Sequence, residues 1–205
     1  MLMNCKKEII AVLDPMCSWC WGFEPTLQKL RQNLPEGTSL SICMGGLRSK
    51  GDQAWTPEFR SYLKEHWTQV QSKTGQNFNL DFLNTESFNY DTEPACRAVV
   101  TVRNMDSSKV FDFIYALQQA FYQKMQDITS TDILSNIAEK EGLDKTTFLD
   151  LFHSQKIQEE TIADRYKARS MGANSFPSLV FIDEEGHLYV LKGYQDFESI
   201  QKHHL

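Results

Sequence analysis

The stretch Asp14-Pro15-Met16-Cys17-Ser18-Trp19-Cys20-Trp21-Gly22-Phe23-Glu24-Pro25 decides how the rest of the chain reads. It sets two cysteines, Cys17 and Cys20, two residues apart. Ahead of it, Glu8 to Leu13 ends an apolar run that is too short for a helix and suits a buried strand. Behind it, Phe23, Leu27, Leu30 and Leu34 recur at helical spacing until Pro35 and Gly37 interrupt the pattern. The cysteines therefore stand where a strand becomes a helix. A thiol there faces unpaired backbone N–H groups and the positive end of the helix dipole, which favour thiolate over thiol. Cys20, one turn further in, lies on the same face within disulfide reach, so the pair can cycle between dithiol and disulfide. A zinc site needs four ligands, usually as two such pairs. Cys5, Cys43 and Cys96 are solitary, and His66, His153 and His187 show no ligand-like pairing with them, so neither metal nor cofactor is expected. The plain alternative is two small core residues that happen to be cysteine; the strand-to-helix placement speaks against it.

The chain has 205 residues, 41% of them hydrophobic, enough for one ordinary domain or a domain with a large insertion. Its formal net charge is −6 with no long basic run. Nucleic acid and anionic membrane are therefore poor candidates as partners. No segment reaches the apolar length of a membrane span. The start carries lysines and then apolar residues, like a miniature signal peptide. Its apolar run is only Ile9 to Leu13, however, and ends in Asp-Pro with no small-residue cleavage site. These residues serve better as the first core strand, and a chain beginning at its native start is expected in the cytoplasm. Five cysteines, an odd number at irregular spacing, do not look like a secreted disulfide framework.

Thr38 to Met44 alternates polar and apolar and reads as a second strand, ended by Gly45-Gly46. Strand, helix and strand in this length form a βαβ unit with parallel strands and a right-handed crossover. The two glycines serve either as a close backbone approach to the site or as a simple strand exit. From Leu47 to about His153 the character changes. Arg48 to Asp52 is a polar linker, and Thr56-Pro57 starts a helix marked by Phe59, Leu63, Trp67 and Val70. Asn77 to Tyr90 has no sustained period and reads as loop. Thr92-Glu93-Pro94 starts another helix, with Ala95, Ala98, Val99 and Val102 inward. Ser107 caps a long one through Phe121; Thr131 to Gly142 and Asp144 to His153 are shorter. No strand signal occurs in this block. Gln158 to Met171 is helical, Ser178–Ile182 and Leu188–Leu191 are strands joined by a hairpin loop, and a short helix from Asp196 closes the chain.

This order, with a CxxC at the first strand-to-helix junction and Phe176-Pro177 before the third strand, resembles the thioredoxin fold. That is an α/β fold with a four-stranded mixed sheet flanked by helices. The helical block after the second strand looks like the DsbA-type members. CSWCWGFEP, MGGL near Gly45, TEPACRAV at Thr92 to Val99 and SFPSLVF at Ser175 to Phe181 resemble the branch of predicted protein-disulfide isomerases related to FrnE. The resemblance spans essentially the whole chain. It implies a thioredoxin-fold domain from residues 1–46 and 155–205, and an inserted helical domain at 47–154.

The resemblance also implies that Pro177 is cis and lies against the cysteine pair. A cis X-Pro bond marks a built turn. It leaves the backbone of Phe176 free to pair with an extended substrate segment; otherwise the proline simply opens an edge strand. Cys17, the more exposed thiol, is expected to form the mixed disulfide with substrate and Cys20 to resolve it. The expected activity is thus thiol–disulfide oxidoreductase or isomerase, with protein or peptide thiols and disulfides as partners and glutathione as a further candidate. Ser18, Trp19, Phe176 and Pro177 are the expected substrate contacts, and Trp19 is the exposed aromatic of the motif. Trp21 and Phe23 read as core, and Cys43 and Cys96 as buried and inert. DsbA proper carries a histidine before its second cysteine, where Trp19 stands here. Glu24 and Asp14 add negative charge near the helix start. A moderately lowered thiol pKa and a potential less oxidising than that of DsbA follow. Two rival readings remain. Kappa-class transferases and hydroxychromene-carboxylate isomerases share the fold with a similar SPYSWLGFE motif, in which serine stands where Cys17 stands and glutathione supplies the thiol. Some DsbA-like proteins are non-enzymatic adaptors that deliver clients to proteases.

Overall fold

Five consecutive buried residues, Ile9 to Leu13, form the centre of the sheet. They belong to β1 (Lys7–Leu13), which is flanked on both edges. β2 (Thr38–Met44) pairs with it in parallel, Ile9 opposite Leu40, and β3 (Ser178–Ile182) antiparallel, Ile10 opposite Val180. β4 (Leu188–Lys192) completes the order β2-β1-β3-β4 as a hairpin partner of β3. The computed structural model describes residues 7–51 and 53–205. Residues 1–6, Cys5 among them, and Asp52 at the end of the expected linker lie outside the described residues.

Strand residues alternate between the two faces. Ile9, Ala11, Leu13, Ile42, Leu179 and Phe181 share one core with the helix that follows the cysteines. Ile10, Val12, Cys43 and Val180 meet Ala168 and Ala173 on the other side. The first face is covered by α1 (Ser18–Gln32) together with α8 (Phe197–His204), which Asp196 caps by accepting from Ser199 N–H at 2.7 Å. The second is covered by α7 (Gln155–Ser170), packed along β2. Between β2 and α7 run α2 (Pro57–Thr74), α3 (Glu93–Met105), α4 (Val110–Tyr122), α5 (Thr131–Lys140) and α6 (Lys145–Phe152), and no strand occurs there among the described residues. Arg103 of α3 staples this block to the sheet. It donates to Ile42 O at 3.0 Å and to Asp164 of α7 at 2.7 Å, while Asp164 also accepts from Met44 N–H at 2.9 Å.

Three boundaries differ from the sequence reading, each through a short polar cap. Ser154 accepts from Ile157 N–H, so α7 begins at Gln155 and not at Gln158. Asp106, not Ser107, makes the cap before α4, accepting from Ser108 N–H and opening a 3-10 turn at Ser107–Lys109. The expected loop at 77–90 holds a five-residue 3-10 turn, Leu80–Asn84, started by Asn79, which is too short to show a period.

Pro25 lies inside α1 and has no N–H for the carbonyl of Trp21 one turn back. Gln76, just past α2, fills the gap by donating Nε2–H to Trp21 O at 3.0 Å, and Trp21 Nε1–H donates to Asn77 O at 3.0 Å. Gly22 permits this approach, since a Cβ there would lie 2.7 Å from Val70 and 2.9 Å from Thr74 of α2. The proline thus turns a helix defect into a seam between α1 and α2. Gln76→Ala is expected to cost about 1–2 kcal/mol in urea unfolding by orphaning the Trp21 carbonyl. In a Pro25→Ala background, where residue 25 regains its N–H, the cost of Gln76→Ala should shrink; equal costs in both backgrounds would refute the link.

Candidate active site

Cys17 is the N-cap residue of α1, with extended backbone angles (φ −85, ψ 117), and its carbonyl accepts from Cys20 and Trp21 N–H. The turn ahead of it is built by Asp14. One carboxyl oxygen accepts from Met16 N–H at 2.8 Å, the other from Leu47 N–H at 2.7 Å, and the Cys96 thiol lies 3.5 Å from the latter. Tyr90 donates its hydroxyl to Met16 O at 2.7 Å. Burial holds the Asp14 carboxyl above its usual range. It also pushes the Cys96 thiol well up, and the neighbouring Asp14 carboxyl adds to the rise.

The thiols are free in this structure. Cys17 is 6% exposed and Cys20 2%, so Cys17 is the more accessible, although both are buried. Burial pushes the Cys20 thiol well above its ordinary value, with Cys17 adding to the rise. Cys43 is also buried, its thiol pushed up to about 12 by burial, and it donates to Asp164 O. Across from the motif, the Phe176–Pro177 bond is cis. The Cys17 thiol points at Phe176 O, 3.5 Å away. Residues 159 positions apart therefore meet at one sulfur. Gly45 is the close approach that the double glycine offered. A Cβ there would lie 2.0 Å from the Phe176 ring, so glycine is what lets that ring seat beside the site.

Of the expected contacts, Ser18, Trp19 and Phe176 are half-buried and Pro177 is buried. Cys17, Ser18, Trp19 and Phe176 line a cavity of about 240 Å³. Its opposite wall comes from residues that the sequence reading did not nominate: Leu47, Arg48, Tyr62, His66, Trp67 and Tyr90. Trp19 and Phe176 also border a more open cleft of about 660 Å³ with Gln69, Ser72, Lys73, Gly193 and Tyr194. Trp19 tilts against Tyr194 with ring centroids 5.8 Å apart. Trp21 and Phe23 are core, each 1% exposed.

Glu24 is not the charge beside the thiols that the sequence suggested. It is buried two turns into α1, where its surroundings are Gln28, Arg31 and Asp112. Burial raises its pKa to about 7. Asp14 does act on Cys20, in two opposed ways: its backbone hydrogen bond lowers the thiol's pKa and its charge raises it.

A four-stranded mixed sheet, a CxxC at a strand-to-helix junction, a cis proline facing it and a helical block between β2 and α7 together define a DsbA-like thioredoxin fold. The chain belongs to the thioredoxin family, whose model matches residues 11–202. Its fold is shared by a Nitrosomonas europaea protein named as a candidate protein disulfide isomerase, with a TM-score of 0.88 and 34% identity over 96% of this chain and 95% of that one. The cytosolic disulfide reductase DsbM from Pseudomonas aeruginosa, a structure also solved with GSH, has the same fold at a TM-score of 0.76 and 23% identity, covering 90% of this chain and 89% of that one. The ClpXP adapter protein SpxH of Halalkalibacterium halodurans is 24% identical over 89% of this chain. This chain spans 65% of that relative's length.

Two outcomes follow from this geometry. Gly45→Ala should displace the Phe176 ring and destabilise the fold by about 1–3 kcal/mol, read by thermal unfolding and by the shifted Phe176 resonances; unchanged resonances would refute the seat. Glu24, with a folded pKa of about 7 against an ordinary 4.5, binds its proton more tightly folded than unfolded. Its contribution is therefore full at low pH and is lost as pH rises from 4.5 through about 7. Glu24→Gln should flatten that dependence and stabilise the protein at pH 8 on the order of 1–3 kcal/mol in denaturant titrations.

Proposed function

We propose that the chain is a thiol–disulfide oxidoreductase acting through Cys17 and Cys20. The observation that carries this reading is the convergence of the Cys17 thiol, the Phe176 carbonyl and the cavity mouth, with Cys20 sealed one turn behind. Cys17 Sγ attacks a substrate disulfide, forming a mixed disulfide and releasing one substrate thiol. Cys20 Sγ then attacks Cys17, forming the Cys17–Cys20 bond and releasing the second thiol. Two electrons pass from the dithiol to the substrate, and the reverse sequence oxidises a dithiol. The protonated, buried Cys20 suits a resolving thiol, which stays silent until Cys17 is occupied. Phe176, Pro177, Ser18 and Trp19 are the proposed substrate platform. Glutathione is a candidate thiol partner, supported by the GSH complex of DsbM, and a cytoplasmic setting is supported by the description of DsbM as cytosolic. Among the described residues no helix is long and apolar enough to cross a membrane.

A second reading, an adaptor that presents clients to a protease, is favoured by the SpxH relatives alone. One variant series separates the two. Cys20→Ala should accumulate a mixed disulfide at Cys17 that reductant releases, and Cys17→Ser should capture nothing and lose insulin reduction. An adaptor would keep its clients in Cys17→Ser, and that result would sink the enzymatic reading.

A further inference from the structure

The cysteine motif holds no imidazole, because Trp19 occupies the position before Cys20. The cavity in front of Cys17 brings one from another element, since His66 of α2 lines it. Its own helix orients the ring. Nδ1 lies 3.1 Å from the carbonyl oxygen of Tyr62, one turn back, and the imidazole rests against the Tyr62 ring with centroids 4.0 Å apart. A carbonyl oxygen can only accept, so Nδ1 carries the proton and Nε2 of the neutral ring keeps its lone pair.

Of the other ionisable groups around the cavity, Arg48 and Tyr90 are committed elsewhere. The full set of these groups is Cys17 at the start of α1, Arg48 after β2, Tyr62 on α2 and Tyr90 before α3; the β3 side contributes only the ring and carbonyl of Phe176. Arg48 offers only N–H donors, with its guanidinium over the Phe59 and Tyr90 rings at 5.0 and 5.9 Å. Tyr90 commits its hydroxyl to Met16 O, and burial holds that proton in place. Asp14, behind the cysteine turn, has both oxygens occupied by Met16 and Leu47 N–H. Imidazole is the side-chain type suited to passing a proton both ways at neutral pH.

We propose that His66 is the acid–base residue for thiol exchange at Cys17, a role that rests on the disulfide chemistry proposed above. Nε2 takes the Cys17 thiol proton as Sγ attacks a substrate sulfur. The new Sγ–S bond forms as the substrate S–S bond breaks, and the imidazolium returns the proton to the departing thiolate. No further oxidant or reductant enters this step. The helical block thereby supplies, across the cleft, the imidazole that the motif lacks.

The test compares wild type, His66→Gln, which keeps an amide donor for the Tyr62 carbonyl, and His66→Ala. Two rates are followed against pH: reduction of a peptide disulfide, and alkylation of Cys17 by iodoacetamide with peptide mapping. Melting temperatures check the fold, which a half-exposed position should preserve. Both variants should reduce the peptide about 10- to 100-fold more slowly at neutral pH and lose the acidic inflection of both profiles, with imidazole in the buffer restoring part of the His66→Ala rate. Wild-type rates and wild-type profiles in both variants would overturn the role. A wild-type protein that leaves the peptide disulfide intact overturns the redox reading instead, and the alkylation profiles then still decide whether His66 handles the Cys17 proton.

Discussion

The buried carboxyl of Asp14 is the constraint on which the rest of the site depends. It reaches Met16 N–H within its own turn and Leu47 N–H in the segment after β2, so one side chain ties the end of β1 to the exit of β2. The same segment is tied onward to the start of α3, where Arg48 N–H donates to the Thr92 hydroxyl at 3.1 Å and Thr92 N–H to Arg48 O at 3.0 Å. Tyr90 adds its bond to Met16 O. Apolar packing alone is indifferent to direction, whereas these bonds fix distance and angle. Burying a carboxyl costs several kcal/mol unless it is hydrogen-bonded or holds its proton more tightly. Asp14 does both, and the turn before Cys17 is held from three elements as a result.

Much of this architecture was legible in the chain. β1 showed itself as an unbroken apolar run because it lies between β2 and β3 and its residues Ile9 to Leu13 are buried on both faces of the sheet. β2 and the β3–β4 hairpin showed alternation or turn residues for the same physical reason, that a strand's environment repeats every two residues. The helix starts at Thr56, Thr92, Asp144 and Asp196 were visible because the starting residues form a small chemical class. The misses at Asp106, Asn79 and Ser154 belong to that class too. At Asp106 the neighbouring Ser107 offered an equal cap, and the turn that Asn79 starts is too short to show a period.

The site divided differently. Cys17 and Cys20 announced themselves by spacing, and Phe176-Pro177 by resemblance to a fold in which they face the pair. The far wall carried no such signal. Arg48, His66 and Tyr90 sit on three segments, and each has an ordinary local explanation in the sequence: linker, helix surface and loop end. Only the Asp14 and Thr92 links and the packing of α2 on α1 bring them to one cavity. Glu24 misled for the complementary reason. It is near the motif in sequence, but the helix turns it away toward Arg31 and Asp112.

That far wall limits what can react. A sulfur that is 6% exposed, opening on a cavity of about 240 Å³, is out of reach for a disulfide set in a rigid, convex surface. The proposed function therefore calls for a small thiol, or for an extended segment lying along the Phe176 backbone with its neighbouring residues in the larger cleft beside Trp19 and Tyr194. Helix α2 borders both spaces, with Tyr62 and His66 facing one and Gln69, Ser72 and Lys73 the other. The thioredoxin-like part supplies the two sulfurs and the carbonyl that meet at the site. On the proposed reading, selection would reside in the helical block, whose Tyr62, His66, Gln69, Ser72 and Lys73 line the approaches to Cys17.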